Sequence, residues 1–196
     1  MKRSEVNEAI KHAREVFEKH HWVLPPSPKW DVTDFGLGDF KSSGLILINL
    51  AEEKEYCEKL MFAYPNQVTP LHTHKKKKED IIVRWGALRL ELWDGIPDES
   101  RRNEIFEVQI SGEKQTIKNG SQIILLAGGR ITLTPGIYHA FWPISEACII
   151  GEVSTANDDL NDNFFIDTNI GRFVEMEEDE PALVRLVSDK VINNEK

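Results

Sequence analysis

Apolar residues within the first twenty positions recur at the spacing of an amphipathic helix. They form one stripe that must pack against another element, and the stripe consists of Val6, Ala9, Ile10, Ala13 and Phe17. Ser4 is a suitable N-cap residue, and a proline-rich connector that begins at residue 25 ends the helix. We therefore expect residues 1–28 to form a helical lead-in to one domain that occupies residues 29–196.

After this lead-in the pattern changes to short strands separated by turns. Residues 87–93 alternate, with three leucines on one face and with Arg89, Glu91 and Trp93 on the other. Asp-Gly at 94–95 and Asn-Gly at 119–120 are turn signals. About nine or ten such strands, with turns every ~8–12 residues, predict a mainly all-β fold, an antiparallel sandwich or barrel.

The tail after residue 157 is acidic and has no clear period. Glutamate and aspartate dominate residues 175–181, and Pro181 closes the run, a pattern typical of a solvated turn. The apolar residues that follow predict a last strand around 182–187. The domain is therefore expected to end in an acidic segment.

Composition narrows the class of function. The 196 residues include 24 lysines and arginines against 33 aspartates and glutamates, a net charge of −9 that disfavours nucleic-acid or membrane-surface partners. No run approaches the ~18 apolar residues of a membrane span, and the N-terminus lacks the apolar core of a secretory signal. Cys57 and Cys148 are too few to cross-link a chain of this size. We expect a cytoplasmic protein with no nucleic-acid or membrane partner.

Two histidine-containing segments carry the candidate chemistry. His72 and His74 are two positions apart, so on a strand they project from the same face. Glu79 opens the next predicted strand, and His139 follows a tight turn about sixty residues later. Three imidazoles and one carboxylate are a suitable ligand set for a divalent transition metal that keeps positions open for substrate.

These two segments resemble the paired motifs of the cupin superfamily, a double-sheet jelly-roll barrel that holds a metal inside. His72, His74 and Glu79 match the first motif, and His139 matches the second. The chain departs from the motifs only in turn and rim positions. The resemblance implies a cupin barrel preceded by an N-terminal helix.

A narrower resemblance, to the D-lyxose isomerase family of cupins, extends over about residues 30–180. It is carried by WDVTDFGLGDF at 30–40, by Lys77 with the EDII that follows at 79–82, by HAFW at 139–142 and by GEVSTANDD at 151–159. The family resemblance implies an enzyme that interconverts D-lyxose with D-xylulose, and D-mannose with D-fructose. It also implies Mn²⁺, or Co²⁺, Ni²⁺, Fe²⁺ or Zn²⁺ in the same site, and a homodimer.

The chemistry of such an isomerase assigns further roles. A metal that chelates O1 and O2 of the sugar would stabilise a cis-enediolate, while a base carries the proton between C2 and C1. Glu152 is the candidate base, and Lys77, at the family spacing, is a catalytic and substrate-binding candidate. Asp162 is a weaker catalytic candidate that would bind a hydroxyl. A hydride shift, which would need no such base, stays open.

Strand facing suggests an aromatic pocket lining made up of Tyr138, Phe141 and Trp93. The substrate is then a small-molecule sugar. The alternative is a different metal-binding cupin, either an iron-dependent oxygenase or a non-catalytic sugar-binding module, because the fold alone does not fix function. The segments at 30–40 and 152–163 favour the isomerase, since they resemble that family.

Overall fold

The computed structural model describes residues 1–155, 158, 161–171 and 176–189. The chain begins with helix α1, Arg3–Lys19, and a short 3₁₀ turn lies at Glu99–Arg101. Thirteen strands follow α1 within the described residues: β1 Lys29–Thr33, β2 Leu45–Glu52, β3 Tyr56–Ala63, β4 Thr69–Thr73, β5 Glu79–Trp85, β6 Ala87–Asp94, β7 Ile105–Ile110, β8 Glu113–Lys118, β9 Ser121–Leu126, β10 Arg130–Leu133, β11 Ile137–Pro143, β12 Cys148–Thr155 and β13 Phe164–Phe165.

The strands form two antiparallel sheets that face each other. The larger sheet has the order β1-β2-β3-β12-β5-β10-β7-β8, and the smaller sheet has the order β13-β4-β11-β6-β9. Chain neighbours such as β4 and β5 lie in different sheets, so the chain crosses between the layers, as it does in a jelly roll. The predicted mainly all-β fold with an N-terminal helix is confirmed.

Two apolar clusters hold these layers together. One lies between the sheets, and the other lies between the outer face of the larger sheet and α1. Strand β2 shows why both can form: Leu45 and Leu47 point into the first cluster, whereas Ile46 and Ile48 point into the second. A strand buried on both faces is apolar at successive positions rather than at alternate ones. The helix stripe predicted from its spacing is buried in this second cluster.

Of the acidic turn predicted at 175–181, Glu175 lies outside the described residues and residues 177–181 are exposed, as predicted, but two of their carboxylates also contact the start of α1. Glu178 pairs with the buried guanidinium of Arg3 at 2.6 Å, and the carboxylate of Asp179 accepts hydrogen bonds from the backbone N–H and hydroxyl of Ser4. The helix begins at Arg3, two residues earlier than an N-cap at Ser4 would allow, and a distant segment caps its first turn. The N-cap prediction for Ser4 was wrong.

The strand predicted around 182–187 is not formed, because the described chain is irregular over these residues. Leu186 is nevertheless buried in the cluster beside α1, and the Val187 N–H donates a hydrogen bond to the Trp30 carbonyl at 2.9 Å. The apolar residues of this segment therefore anchor an irregular stretch of chain. A single hydrogen bond to β1 is not enough to form a paired strand.

Both cysteines are buried free thiols within the described chain. Burial raises the pKa of the Cys148 thiol to about 12, so this side chain packs as a small apolar group. No helix among the described residues combines the length and apolar character needed to cross a membrane.

Candidate active site

Four predicted ligand side chains meet in the space between the two sheets. His72 lies on β4 and is paired with His139 of the neighbouring strand β11; His74 follows β4, and Glu79 opens β5 of the opposite sheet. All four are buried, and one ligand atom of each lies within 4.8 Å of the others. The i, i+2 spacing and the crossing from β4 to β5 bring these residues together.

Backbone carbonyls determine which ring nitrogen of each histidine carries the proton. The Nδ1 atoms of His72, His74 and His139 lie 2.8, 2.6 and 3.3 Å from the carbonyls of Pro70, Asp162 and Ile137. Because a carbonyl oxygen only accepts, Nδ1 donates in each contact and Nε2 keeps its lone pair. Burial, more than its neighbours, holds the pKa of His72 well below its usual value, so that this ring is neutral, as a metal ligand must be.

The inner atoms of the cluster are hydrogen-bond acceptors that face one another. Nε2 of His139 and Nε2 of His74 lie 3.0 and 3.4 Å from the same Oε1 of Glu79, and all three atoms are buried without a hydrogen-bond partner. Buried lone pairs arranged in this way are costly unless a cation lies among them. The residues therefore fit a divalent metal, and the His₃Glu set suits Mn²⁺, Fe²⁺, Co²⁺, Ni²⁺ or Zn²⁺.

A buried ionic chain extends from this cluster. Lys77 Nζ lies 2.7 Å from Oε2 of Glu79 and 3.0 Å from Oε1 of Glu152. Burial disfavours the charge on Lys77, but the carboxylates of Glu152 and Glu79 outweigh it and raise the pKa of the ammonium. Burial likewise opposes ionisation of Glu79, but the ammonium of Lys77 outweighs this effect and holds the pKa of Glu79 well below its usual value.

Glu152 lies on β12 and points inward, like its i−2 neighbour Ile150. Burial would raise its pKa, but Lys59 and then Lys77 outweigh this effect and lower the pKa. The carboxylate is thus ionised at neutral pH, which is the state that a proton acceptor needs.

These side chains line one cavity with about 680 Å³ of empty space, part of it open to solvent. The apolar residues of its lining are Phe35, Leu45, Leu47, Met61, Ile81, Phe141 and Phe165. Phe141 therefore lies where the sequence predicts it.

Tyr138 and Trp93 do not line this cavity, and that part of the predicted aromatic lining was wrong. His139 and Phe141 point inward from β11, so Tyr138 between them points to the other face. Trp93 lies opposite Tyr138 on β6, where its indole N–H donates to Glu91 at 2.8 Å and the guanidinium of Arg102 lies over its ring.

Asp162 lies behind the site and does not line the cavity. Its carboxylate accepts hydrogen bonds from the backbone N–H groups of Lys75, Lys76 and Lys77, at 2.9, 3.1 and 2.9 Å, and its carbonyl is the partner of His74 Nδ1. This placement does not fit the predicted catalytic, hydroxyl-binding role. Asp162 instead orients a candidate ligand and the turn that carries Lys77.

Replacing Asp162 with alanine keeps the carbonyl that contacts His74 but removes the carboxylate behind it, so we expect Mn²⁺ binding to weaken about tenfold, the low end of the range for a change in the outer shell, and kcat/KM to fall by a similar factor. The reason is that three backbone N–H groups lose their acceptor and the turn beside His74 loosens. Calorimetric Mn²⁺ titration and steady-state kinetics measure both effects. Asp167→Ala, which removes an exposed carboxylate that caps a turn at Asn169, is the control; wild-type values for the Asp162 variant would contradict the assignment.

Sequence reasoning missed Lys59, which lines the cavity from β3. The sequence signal is weak: Lys59 shares the i, i+2 face of Met61, but Leu60 and Phe62 on the other face are apolar too, so alternation does not show which face points inward. Asp31, Thr69 and Asn163 also line the cavity, and their spacing in the chain carries no comparable signal.

Two facing antiparallel sheets that enclose a buried His₃Glu cluster define a cupin barrel with a candidate metal site. The family model described as D-lyxose isomerase matches residues 27–190. The chain therefore belongs to the D-lyxose isomerase family, and it is an isomerase.

Known proteins similar to the chain include two bacterial enzymes. It is 37% identical to a D-lyxose/D-mannose isomerase of Escherichia coli O157:H7, over 96% of this chain and 98% of that one. It is 30% identical to a D-lyxose ketol-isomerase of Cohnella laeviribosi, over 92% and 100%.

The fold is also shared with a more distant enzyme. The structure of Cellulomonas parahominis L-ribose isomerase with L-psicose matches with a TM-score of 0.65 at 15% identity, covering 86% of this chain and 94% of that one. At this identity the match shows a common fold.

Proposed function

We propose that the protein is a metal-dependent aldose–ketose isomerase that interconverts D-lyxose with D-xylulose and D-mannose with D-fructose. The observation that carries this proposal is the position of the ionised Lys77–Glu152 pair directly beside the His₃Glu cluster, in one buried cavity. The names of the curated relatives support the choice of sugars.

His72, His74, Glu79 and His139 would hold the metal, for which we propose Mn²⁺. A divalent ion held there supplies positive charge where negative charge develops on the sugar oxygens O1 and O2. The contact of each Nδ1 with a carbonyl fixes the ring orientation, so that three imidazoles and one carboxylate point at the same place.

Glu152 acts as the base in this proposal. Its carboxylate removes the proton from C2 of the aldose, the electron pair left on carbon forms the C1–C2 double bond, and the C1=O π pair moves onto O1 to give the enediolate. The hydroxyl proton on O2 then passes to O1, O2 becomes the carbonyl oxygen, and the proton held on Glu152, after exchange with solvent in part of the turnovers, is delivered to C1 to give the ketose. Lys77, held between Glu152 and Glu79, orients the substrate hydroxyl and offsets the anionic charge of the intermediate.

An iron-dependent oxygenase or a non-catalytic sugar-binding module would also use the metal cluster. Neither accounts for a second buried carboxylate, ionised and held by two lysines, next to that cluster. A proton carried between adjacent carbons does account for it.

We also propose a homodimer, as the family resemblance implies, and a cytoplasmic location, as the scarcity of cysteine suggests. Exposed apolar side chains on the edge strand β9, Ile124 and Leu126, support an association surface. The mass in solution measures the oligomeric state.

The test of this function uses protein that has been stripped with a chelator and reloaded with Mn²⁺, Co²⁺ or Ni²⁺. We expect interconversion of D-lyxose with D-xylulose, and of D-mannose with D-fructose, only after reloading. In deuterated water, solvent deuterium should enter the product, as exchange of a carboxylate-bound proton requires. Lack of conversion with every metal would exclude the isomerase, and complete retention of the substrate hydrogen would exclude the role of Glu152.

A further inference from the structure

Lys59 is a lysine in the interior of the barrel. Its side chain is 5% exposed, lines the cavity from β3 and has Met61 as its inward-facing neighbour. A buried ammonium is stable only when anionic groups face it. The position of Lys59 therefore demands an explanation in terms of what it contacts.

The strand register places Lys59 against the candidate base. Lys59 and Glu152 are paired residues on the neighbouring antiparallel strands β3 and β12, and both point inward. Lys59 Nζ lies 3.5 Å from Oε1 of Glu152. Because the two residues lie on regular strands of one sheet, the backbone holds their spacing.

Two cations thus converge on one oxygen. Lys77 approaches the same Oε1 at 3.0 Å, but it also contacts Glu79 of the ligand cluster at 2.7 Å. Lys77 is therefore shared between the base and the metal site, and in the proposed reaction it also contacts the sugar. Lys59 approaches from strand β3 and can hold the carboxylate while Lys77 engages substrate.

We propose that Lys59 is a positioning residue that holds the Glu152 carboxylate in place for proton transfer, an inference that rests on the proposed isomerase function. The charged groups that face Glu152 are Lys59 on β3, Lys77 on the β4–β5 turn and Glu79 on β5. Without Lys59 the carboxylate keeps one cation, which is shared with Glu79, so its orientation depends on a side chain that moves with the substrate.

The test compares Lys59→Met and Lys59→Arg with the wild type, each loaded with Mn²⁺. We expect Lys59→Met to lower kcat about a hundredfold, as misplacement of a catalytic group does, with KM and calorimetric Mn²⁺ affinity within about threefold of wild type. Lys59→Arg keeps the charge and should restore kcat to within about tenfold. Lys114→Met is the matched control, because Lys114 contacts Glu107 at 3.1 Å on the exposed surface.

A double-mutant cycle separates this role from a structural one. If Lys59 acts through Glu152, adding Lys59→Met to Glu152→Gln should change kcat by less than about threefold. Three results would overturn the proposal. They are a loss of kcat in the double variant equal to the product of the two single losses, equal losses of kcat in the methionine and arginine variants, and a wild-type kcat in Lys59→Met. Lys59→Gln replaces the methionine variant if that variant does not fold.

Measuring the wild-type protein in the same assay distinguishes failure of the isomerase function from failure of the role of Lys59. If it converts no sugar with any metal, the isomerase function fails and the role of Lys59 fails with it. If it is active and Lys59→Met is equally active, the role of Lys59 alone is overturned.

Discussion

Replacing Glu152 with glutamine is expected to lower kcat by about 10²–10⁴-fold, the range that general base catalysis contributes. Glutamine has the same shape and still accepts a hydrogen bond from Lys77, but it cannot take a proton from C2. Incorporation of solvent deuterium at the exchanging carbon should fall in parallel with kcat. Mn²⁺ affinity should stay within about threefold of wild type, since Glu152 is not among the four clustered ligand residues.

The control for this variant is Glu107→Gln, which neutralises a carboxylate in the exposed pair with Lys114. Because Glu152→Gln leaves two buried lysines with fewer anions, its thermal midpoint should also fall. Activity is therefore expressed per bound metal in folded protein. A kcat within tenfold of wild type, or deuterium incorporation at the wild-type rate, would show that another group transfers the proton.

Replacing His139 with alanine is expected to weaken Mn²⁺ binding more than a hundredfold and to leave less than about 1% of the activity. Loss of an outer-shell partner alone costs about 10–100-fold, and removal of a direct ligand should cost more. The readout that does not depend on activity is thermal unfolding. Saturating Mn²⁺ should stabilise the wild type by RT ln(1 + [Mn²⁺]/Kd), and this increase should vanish in the variant at the same concentration.

His12→Ala serves as the control, because His12 is an exposed histidine on α1. That variant should keep both the activity and the Mn²⁺-dependent rise in midpoint. Full metal occupancy and activity in His139→Ala would remove His139 from the ligand set. It would also overturn the interpretation of the three buried atoms without a hydrogen-bond partner, which are Glu79 Oε1 and the Nε2 atoms of His74 and His139.

The elements with strong local periodicity could be predicted from the sequence. Helix α1 follows from a 3.6-residue stripe, and strand β6, Ala87–Asp94, follows from alternation that begins at the same residue. The cluster of His72, His74, Glu79 and His139 could be anticipated because the i, i+2 spacing points two of its members the same way and the other two lie at or near the start of strands. Each of these signals is local, and the family resemblance indicated that the four residues belong to one site.

The wrong predictions concern residues whose role depends on which strand face points to the cavity or on contacts between distant parts of the chain. Alternation shows that Trp93 and Leu92 point in opposite directions, but it does not say which direction leads to the cavity. Asp162 contacts backbone groups more than eighty positions earlier in the chain, so no spacing rule indicates its role. Lys59 resembles a surface lysine in isolation, and only the pairing of β3 with β12 reveals the carboxylate opposite it.

The position of Asp162 also bears on how short this chain can be made. The last long strand, β12, ends at Thr155, and a fragment truncated there would contain all four clustered ligand residues, Lys77 and Glu152. It would lack the carbonyl that orients His74, the carboxylate that holds the lysine turn and the ring of Phe165 that lies 5.3 Å from His72. The smallest active unit is therefore expected to extend beyond β12, at least to Phe165 of β13.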